Sequence, residues 1–238
     1  MSKNYEIPEY EILSQEINEF DYSYKIIIIG DSCVGKSCLT IRAAQNIFHD
    51  SYQPTVGFEI CNLNLKIKGK IIKLQIWDTC GQEKFRSLIT GFYHKSSLVI
   101  IVYSINDRET YKNIDQWLNE IKSNTRPDIK IFLIGNKSDL EESRIISKEE
   151  AQHLCEEREL TYFIETSAKN GDNVISTFVL AANMLLEETL NYYNIKTNLK
   201  TERVSTKYSY IYSYTEDEPS NIILDNTSKE KRNCCICH

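Results

Sequence analysis

The sequence predicts an α/β fold in which helices cover a mostly parallel sheet of six strands, one of them antiparallel. Two observations support this prediction. Short apolar runs, often β-branched, recur along the chain, and segments with helical spacing separate most of them. Within residues 58–78, by contrast, two strands flank a tight turn at Lys68-Gly69-Lys70, which indicates a hairpin. Strands that alternate with helices build parallel sheets, so only the hairpin contributes an antiparallel strand.

The predicted elements begin with the apolar run YKIIIIG at residues 24–30, which suits a strand buried on both faces. A helix follows over residues 36–48, and the hairpin follows that helix. Three further apolar strands are predicted, at residues 96–105, 128–136 and 161–167. The remaining helices are predicted at about residues 108–124, 147–158 and 172–190.

The chain divides into three parts. Residues 1–21 are polar and mostly acidic, and we expect them to form a flexible arm. Residues 22–193 contain all the periodic segments and form the folded domain. Residues 194–238 are rich in Ser, Thr, Tyr and Asn with mixed charge, and we expect a disordered tether there.

Composition excludes several classes of function. The net charge of −6 at pH 7 argues against nucleic acid as the main partner. No stretch approaches the ~18 apolar residues of a membrane span, and the acidic start lacks the apolar run of a secretory signal. The 8 cysteines are scattered and then clustered at the end, unlike a disulfide framework. We therefore expect reduced thiols in a cytosolic protein.

The first predicted strand runs directly into GDSCVGKS, which matches the phosphate-binding pattern G-x-x-x-x-G-K-[ST]. Gly30 and Gly35 allow successive backbone N–H groups to point at an anion, and the following helix adds its positive end. Lys36 supplies a charge for the β- and γ-phosphates, and the Ser37 hydroxyl suits Mg²⁺. The alternative is a glycine-containing turn that matches by chance. The predicted phosphate-site residues are Gly30, Asp31, Ser32, Cys33, Val34, Gly35, Lys36, Ser37 and Cys38.

The motif NKSD at residues 136–139, directly after an apolar strand, predicts which nucleotide base is bound. The Asp139 carboxylate can accept hydrogen bonds from guanine N1–H and the 2-amino group, whereas adenine would leave it unpaired. Sites of this kind discriminate by ~10⁴ or more. ETSAK at residues 165–169 ends the next strand, where the Ala168 N–H can meet guanine O6. Either motif alone also fits a surface turn. The predicted base-site residues are Asn136, Lys137, Asp139, Ser167, Ala168 and Lys169.

A third motif, WDTCGQE at residues 77–83, ends the second strand of the hairpin. Asp78 is placed to hold Mg²⁺, Gly81 can offer its N–H to the γ-phosphate, and Gln82 can orient an attacking water. Thr55 adds a hydroxyl that reaches the metal from a loop, although it also fits a plain loop residue. The predicted metal-site residues are Ser37, Thr55 and Asp78.

In this order and spacing, GDSCVGKS, PTVGFE, KLQIWDTCGQE, GNKSD and ETSAK resemble the small GTPases of the Ras superfamily. KLQIWDTCGQE followed by KFRSLITGFY resembles the Rab family in particular. The resemblance covers roughly residues 22–192. It implies a P-loop small-GTPase fold with six strands and about five helices, and two switch loops that order around γ-phosphate and Mg²⁺. It also implies that Phe48 stacks on the guanine.

The resemblance further implies what the protein does. It would be a monomeric GTP/GDP switch that hydrolyses GTP slowly and regulates vesicle trafficking. Its partners would be effector proteins, an exchange factor, a GTPase-activating protein and a prenyl carrier protein. The protein would be located on the cytoplasmic face of intracellular membranes, Golgi or endosomal, and a further pool would be cytosolic.

Two cysteines depart from the family's pattern close to the nucleotide. Cys80 stands where the family usually has Ala, and Cys33 stands where many relatives have Gly or another small residue. A third departure concerns the three aromatic residues through which effectors recognise members of the family. They correspond here to Ile60, Trp77 and Phe92, with Ile60 in place of the usual Phe.

The chain ends on NCCICH, with three cysteines among its last five residues. Family members carry geranylgeranyl groups on such cysteines, and two chains bind a membrane firmly where one binds reversibly. The resemblance thus implies lipid on Cys234 and Cys235. A C-a-a-X ending at residues 235–238 and a metal site of the Cys-x-Cys-His type are the alternatives.

Two other functions compete with a GTPase switch. One is a GTP-binding scaffold with little or no hydrolysis, which Gln82 argues against and the cysteines at positions 33 and 80 leave open. The other is a P-loop ATPase or kinase, against which Asn136 and Asp139 argue.

Overall fold

The computed structural model describes residues 5–14, 16–17, 19–49, 55, 57–79 and 90–201, and of residues 90 and 197–201 the backbone alone. The strands within these ranges are β1 (Tyr10–Ile12), β2 (Tyr22–Ile29), β3 (Phe58–Ile67), β4 (Lys70–Thr79), β5 (Leu98–Ser104), β6 (Lys130–Asn136) and β7 (Tyr162–Thr166). The α-helices are α1 (Lys36–Gln45), α2 (Arg108–Lys112), α3 (Ile114–Asn124), α4 (Lys148–Glu157) and α5 (Val174–Thr201). Short 3₁₀ turns lie at Thr90–Phe92 and Glu141–Ser143.

All strands belong to one sheet, in the order β1-β3-β4-β2-β5-β6-β7. The pairs from β4 through β2, β5 and β6 to β7 are parallel, and β3 pairs antiparallel with β4. The predicted α/β class, its six strands and its hairpin are therefore confirmed. The described part of the sheet has a seventh strand, β1, that we did not predict.

β1 pairs antiparallel with the far end of β3, where Tyr10 lies opposite Ile67. The buried Asn64 extends this contact, because its carbonyl accepts from Leu13 N at 2.9 Å and its Nδ2 donates to Ser14 O at 2.8 Å. The prediction of a flexible arm over residues 1–21 is wrong for this strand. Its side chains are exposed, so the hydrophobic pattern gives no signal, and the backbone of β3 supplies the stabilising hydrogen bonds.

Two helix predictions also need correction. The helix predicted at residues 108–124 is interrupted at Asn113, which ends α2 and precedes α3. The last helix continues through Thr201, beyond the expected domain end at residue 193 and into the expected tether. None of the described helices is both long and apolar enough to cross a membrane.

The β2 run explains why the core has two layers. Ile26 and Ile28 pack on the face covered by α1 and α5, whereas Ile27 and Ile29 pack on the face covered by α3 and α4. All four side chains are fully buried. Because successive side chains of a strand alternate between faces, a continuous apolar run is needed to fill both layers.

α5 is anchored across the amino ends of the parallel strands. The buried Tyr24 hydroxyl donates to Thr189 Oγ1 at 2.9 Å, and Thr189 in turn donates to Leu185 O at 2.8 Å. Ion pairs of Lys68 with Glu187 and of Lys130 with Glu188 flank this contact. The ion pairs are partly exposed and contribute little, so the buried hydroxyl pair is the stronger fixed point.

We expect Tyr24→Phe to lower the free energy of unfolding by about 1 kcal/mol, because Thr189 loses a buried donor. Urea denaturation measures this change. Tyr10→Phe, which removes the same atom from an exposed ring on β1, should stay within about 0.5 kcal/mol of the parent. Equal losses in the two variants would show that the hydroxyl pair does not anchor α5.

Candidate functional site

The motifs predicted from sequence meet at one edge of the sheet. GDSCVGKS follows β2, WDT closes β4, NKSD begins at the last residue of β6, and ETSAK begins within β7. These strands are parallel, so their carboxyl ends lie on the same side. Ligands of open α/β sheets bind at this edge.

The turn of the phosphate-binding loop requires glycine at two positions. Gly30 has φ +138°, and a Cβ there would lie 2.2 Å from the carbonyl oxygen of Val102 on β5. Gly35 has φ +97°, and a Cβ there would lie 2.4 Å from Asn136 Nδ2 on β6. The loop therefore packs against two neighbouring strands too closely for any side chain at these positions.

Cys33 also adopts a left-handed conformation, with φ +64°, and its side chain is exposed. For a residue with a Cβ this conformation costs roughly 1–2 kcal/mol. The loop thus has the left-handed conformation at position 33 even though the residue there is not glycine, which would adopt this conformation without strain.

The other loop side chains divide between the site and the core. Lys36 is buried, and its Nζ donates to the carbonyl oxygens of Gly30 at 2.9 Å and Asp31 at 2.7 Å. Val34 is buried in the core and Cys38 packs against it. Burial raises the pKa of the Cys38 thiol, so this cysteine stays protonated at neutral pH. Any contact of Val34 with a ligand comes from its backbone.

The three predicted metal-site residues converge from distant parts of the chain. Ser37 Oγ lies 2.5 Å from Asp78 Oδ2 and 2.7 Å from Thr55 Oγ1. Asp78 is 1% exposed. Its Oδ1 is buried and has no hydrogen-bond partner among the residues that the structure describes.

This arrangement fits a divalent cation. Burial raises the pKa of Asp78 to about 6, against the lowering effect of the Ser37 hydrogen bond and the Lys36 charge. A buried carboxylate oxygen without a partner is unfavourable unless a cation or donor compensates it. Hydroxyl and carboxylate oxygens are the ligands that Mg²⁺ prefers. The donor set present therefore matches Mg²⁺.

The base-site motifs are joined by side-chain hydrogen bonds. Ser167 Oγ donates to Asp139 Oδ1 at 2.6 Å, which links NKSD to ETSAK. Asn136 Oδ1 accepts from Ala168 N at 3.3 Å, and its Nδ2 donates to Val34 O at 2.8 Å. The Asn136 side chain thus braces both the base-site and the phosphate-binding loops.

Two arginines that no motif marks support the ETSAK segment, one at the loop after β7 and one at the end of the strand itself. Arg42 on α1 donates from Nε to Ala168 O at 2.8 Å and from Nη2 to Lys169 O at 2.6 Å, across 126 and 127 positions of the chain. Arg144 pairs with both carboxylate oxygens of Glu165, at 2.6 and 2.9 Å. In the sequence, the charged Glu165 within the mostly apolar β7 run indicates that a cationic partner is needed.

A partly exposed aromatic cluster lies beside the Mg²⁺-type site. The ring of Phe58 lies 5.3 Å from that of Trp77 and 4.5 Å from that of Phe92. Phe58 is 42% exposed, and Ile60 is 47% exposed next to it along β3. Phe58 therefore adds a third ring to Trp77 and Phe92. That effectors recognise Ile60, Trp77 and Phe92 stays a prediction, because ring packing does not test effector binding.

Several predicted residues remain predictions. Phe48 is half-buried and packs against the core cluster on the α1 and α5 face, and its stacking on guanine is not tested by this contact. The lysine at position 137 has a left-handed backbone with φ +67°. Gly81, Gln82, Cys234 and Cys235, together with position 80, lie outside the described residues.

Comparison with known proteins agrees with the geometry. The sequence model of the Ras family matches residues 25–187. The chain is 43% identical over 164 residues to GTP-binding protein YPTM2 of Zea mays, which covers 69% of this chain and 80% of that protein. It is 40% identical over 170 residues to Ras-related protein Rab-13 of Rattus norvegicus, covering 71% and 83%. It is 43% identical over 165 residues to Ras-related protein RABD1 of Arabidopsis thaliana, covering 69% and 80%.

The raised pKa of Asp78 predicts how stability without metal depends on pH. Between the ordinary value of 3.8 and about 6, Asp78 binds a proton in the folded protein and not in the unfolded one. The free energy of unfolding should therefore receive a contribution from Asp78 that is full below pH 4 and is lost as the pH rises through 6. Denaturant titrations from pH 4 to 7, with chelator, measure it.

Asp78→Asn is the matched control, because it keeps the shape and removes the titration. The difference in unfolding free energy between parent and variant should change between pH 4 and 6. Mg²⁺ binds the ionised carboxylate, so added Mg²⁺ should stabilise the parent more at pH 7 than at pH 5. Parallel pH profiles for the two proteins would contradict the prediction.

Proposed function

The chain is a small GTPase of the Rab type within the Ras family, and we propose that it is a GTP/GDP switch that regulates vesicle trafficking on intracellular membranes. The observation that carries this proposal is the meeting of the base-site and phosphate-site motifs through one side chain. Asn136 bonds Val34 O in the phosphate-binding loop and Ala168 N in the loop after β7. One bound nucleotide would thus contact both.

Guanine selectivity would come from Asp139. The Ser167 hydroxyl holds one of its carboxylate oxygens, which fixes the orientation of the group. Guanine N1–H and the 2-amino group would then pair with the carboxylate, and Ala168 N–H would be close to O6. Adenine would cover this half-buried acceptor without pairing with it, which would give a preference for guanine.

The phosphates would lie over the loop at residues 30–37. Lys36 and the backbone N–H groups of the loop would neutralise and position them. Ser37, Asp78 and Thr55 would hold Mg²⁺, which when bound neutralises charge on the β- and γ-phosphates. Thr55 comes from a separate segment before β3, so its contact would depend on the nucleotide state.

Hydrolysis of GTP with water to GDP and phosphate would be slow without an activating protein. Gln82 would orient the attacking water, and Gly81 N–H would contact the γ-phosphate. The second candidate is a GTP-binding scaffold with little or no hydrolysis. The strained thiol-bearing position 33 in the phosphate-binding loop favours keeping this candidate.

Effector proteins would bind the partly exposed aromatic cluster of Phe58, Trp77 and Phe92, beside the exposed Ile60. Aromatic side chains are enriched where proteins bind one another. Phe58 lies three positions after Thr55, and Trp77 lies on β4 directly before Asp78, which would hold Mg²⁺. An exchange factor and a GTPase-activating protein would set the nucleotide state.

The tail would hold the switch on its membrane. Geranylgeranyl groups on Cys234 and Cys235 would anchor the cytoplasmic face of a Golgi or endosomal membrane, and a prenyl carrier protein would shield them in the cytosolic pool. The chain between Thr201 and the lipids would separate the domain from the bilayer.

A single-turnover assay of phosphate release with GTP and XTP tests the function. The parent should hydrolyse GTP. Asp139→Asn should weaken GTP binding roughly 10⁴-fold and should bind xanthosine triphosphate (XTP) better than GTP, because the 2-oxo group of xanthine matches the new amide. Asp128→Asn, an exposed aspartate after α3, should match the parent. GTP binding without phosphate release by the parent would favour the scaffold, and unchanged GTP affinity in Asp139→Asn would refute the base site.

Replacing Cys234 and Cys235 with Ser should move the protein from membrane to cytosol, because two lipids are needed for firm binding. Nucleotide affinity should stay unchanged, and Cys237→Ser alone should have a smaller effect. Mass spectrometry of the C-terminal peptide from native cells identifies the modification. Unmodified thiols in protein recovered from membranes would exclude the lipid anchor and favour the metal alternative.

A further inference from the structure

The phosphate-binding loop contains a carboxylate, which is an unexpected group beside a polyanion. Asp31 Oδ2 accepts a hydrogen bond from Asn113 Nδ2 at 2.6 Å. Asp31 Oδ1 accepts another from Trp117 Nε1 at 2.8 Å. Each carboxylate oxygen thus has its own donor, and both donors come from the α2–α3 region.

The donors are themselves fixed in place. Trp117 is 1% exposed and packs among the core residues between the sheet, α3 and α4. Asn113 lies at the break between α2 and α3, where its backbone N–H donates to Glu109 O at 3.1 Å. The helix break that the sequence did not predict therefore places an amide opposite the loop.

The backbone of the same residue contacts the phosphate-site lysine. Lys36 Nζ donates to Asp31 O at 2.7 Å. Asp31 is therefore joined to α2–α3 through its side chain and to Lys36 through its carbonyl. A change in the orientation of Asp31 would shift the loop and the lysine together.

Electrostatics gives a second reason for these contacts. A carboxylate free to approach a nucleotide's phosphates would repel them, and such repulsion is weakly screened near a protein surface. Two hydrogen bonds hold the charge of Asp31 against α2–α3 instead.

We propose that Asp31 is a positioning residue for the phosphates: held by Asn113 and Trp117, it fixes the loop and Lys36 for contact with the β-phosphate. This inference rests on the proposed function in one respect, that the loop binds nucleotide phosphates. It predicts a loss that depends on the phosphate chain and not on the base.

The test compares the affinities of GDP and GMP for the parent, Asp31→Ala and Asp31→Asn. Removing two charge-assisted hydrogen bonds should weaken GDP binding about tenfold or more in Asp31→Ala. GMP binding, which lacks the β-phosphate, should change less than about twofold. Asp31→Asn should stay within about threefold of the parent for GDP, since its carbonyl still accepts from Trp117 and the Asn113 amide can turn to offer its oxygen.

Two further variants separate positioning from general destabilisation. Asp115→Ala removes a carboxylate from the start of α3 that pairs with Arg158 instead, and it should leave both affinities unchanged. Asn113→Ala should weaken GDP binding about threefold, and adding it to Asp31→Ala should cause no further loss, as expected for two residues acting through one contact.

The outcomes are distinct. A parent that binds no GDP would refute the proposed function. A parent that binds GDP, with Asp31→Ala binding it equally well or losing GDP and GMP to the same extent, would refute the positioning role alone. Additive losses in the Asn113 and Asp31 double variant would also refute it.

Discussion

The site depends on one buried amide, the side chain of Asn136. It is 1% exposed and bonds Val34 O, Ala168 N and Thr166 Oγ1, so it joins the phosphate-binding loop to the loop after β7. Its Nδ2 occupies the space that a Cβ on Gly35 would need. The glycine and the asparagine therefore require each other. A buried amide with partners for both its oxygen and its nitrogen is favourable, whereas loss of a partner would leave a polar group unsatisfied. This constraint sets the distance between the two halves of the site.

Near Asn136 the protein buries ionisable side chains whose burial by itself is unfavourable for folding. Asp78 is buried with one oxygen unpartnered among the described residues, and its pKa is raised. Lys36 is buried at the loop carbonyls. Ligands that bind only the folded state would compensate such groups and stabilise it in proportion to their concentration. The stability of this domain and the occupancy of its site are therefore coupled.

The supporting contacts come from positions that no motif marks. Arg42 holds the loop after β7, Arg144 pairs with Glu165 near the end of β7, and Asn113 with Trp117 holds Asp31. Phe58 completes an aromatic cluster with Trp77 and Phe92, and the exposed Ile60 lies beside it on β3. Phe58 and Ile60 lie on the same face of β3, two positions apart, so the strand period alone cannot distinguish them. Only the folded chain shows that the side chain of Phe58 is the one that packs against the rings of Trp77 and Phe92.

The amino-acid sequence alone determined the α/β class, the six strands of the family's sheet, the hairpin and the motifs that meet at the carboxyl edge of the sheet. These features depend on local spacing: apolar periodicity forms the elements, and the motifs follow the carboxyl ends of strands that must lie side by side. β1, the break at Asn113 and the extension of α5 to Thr201 emerged only in the folded chain. Two of them have partners distant in sequence: β3 supplies the backbone bonds of β1, and Asp31 contacts the helix break. Interactions of this kind leave no periodic pattern, so spacing along the chain does not contain them.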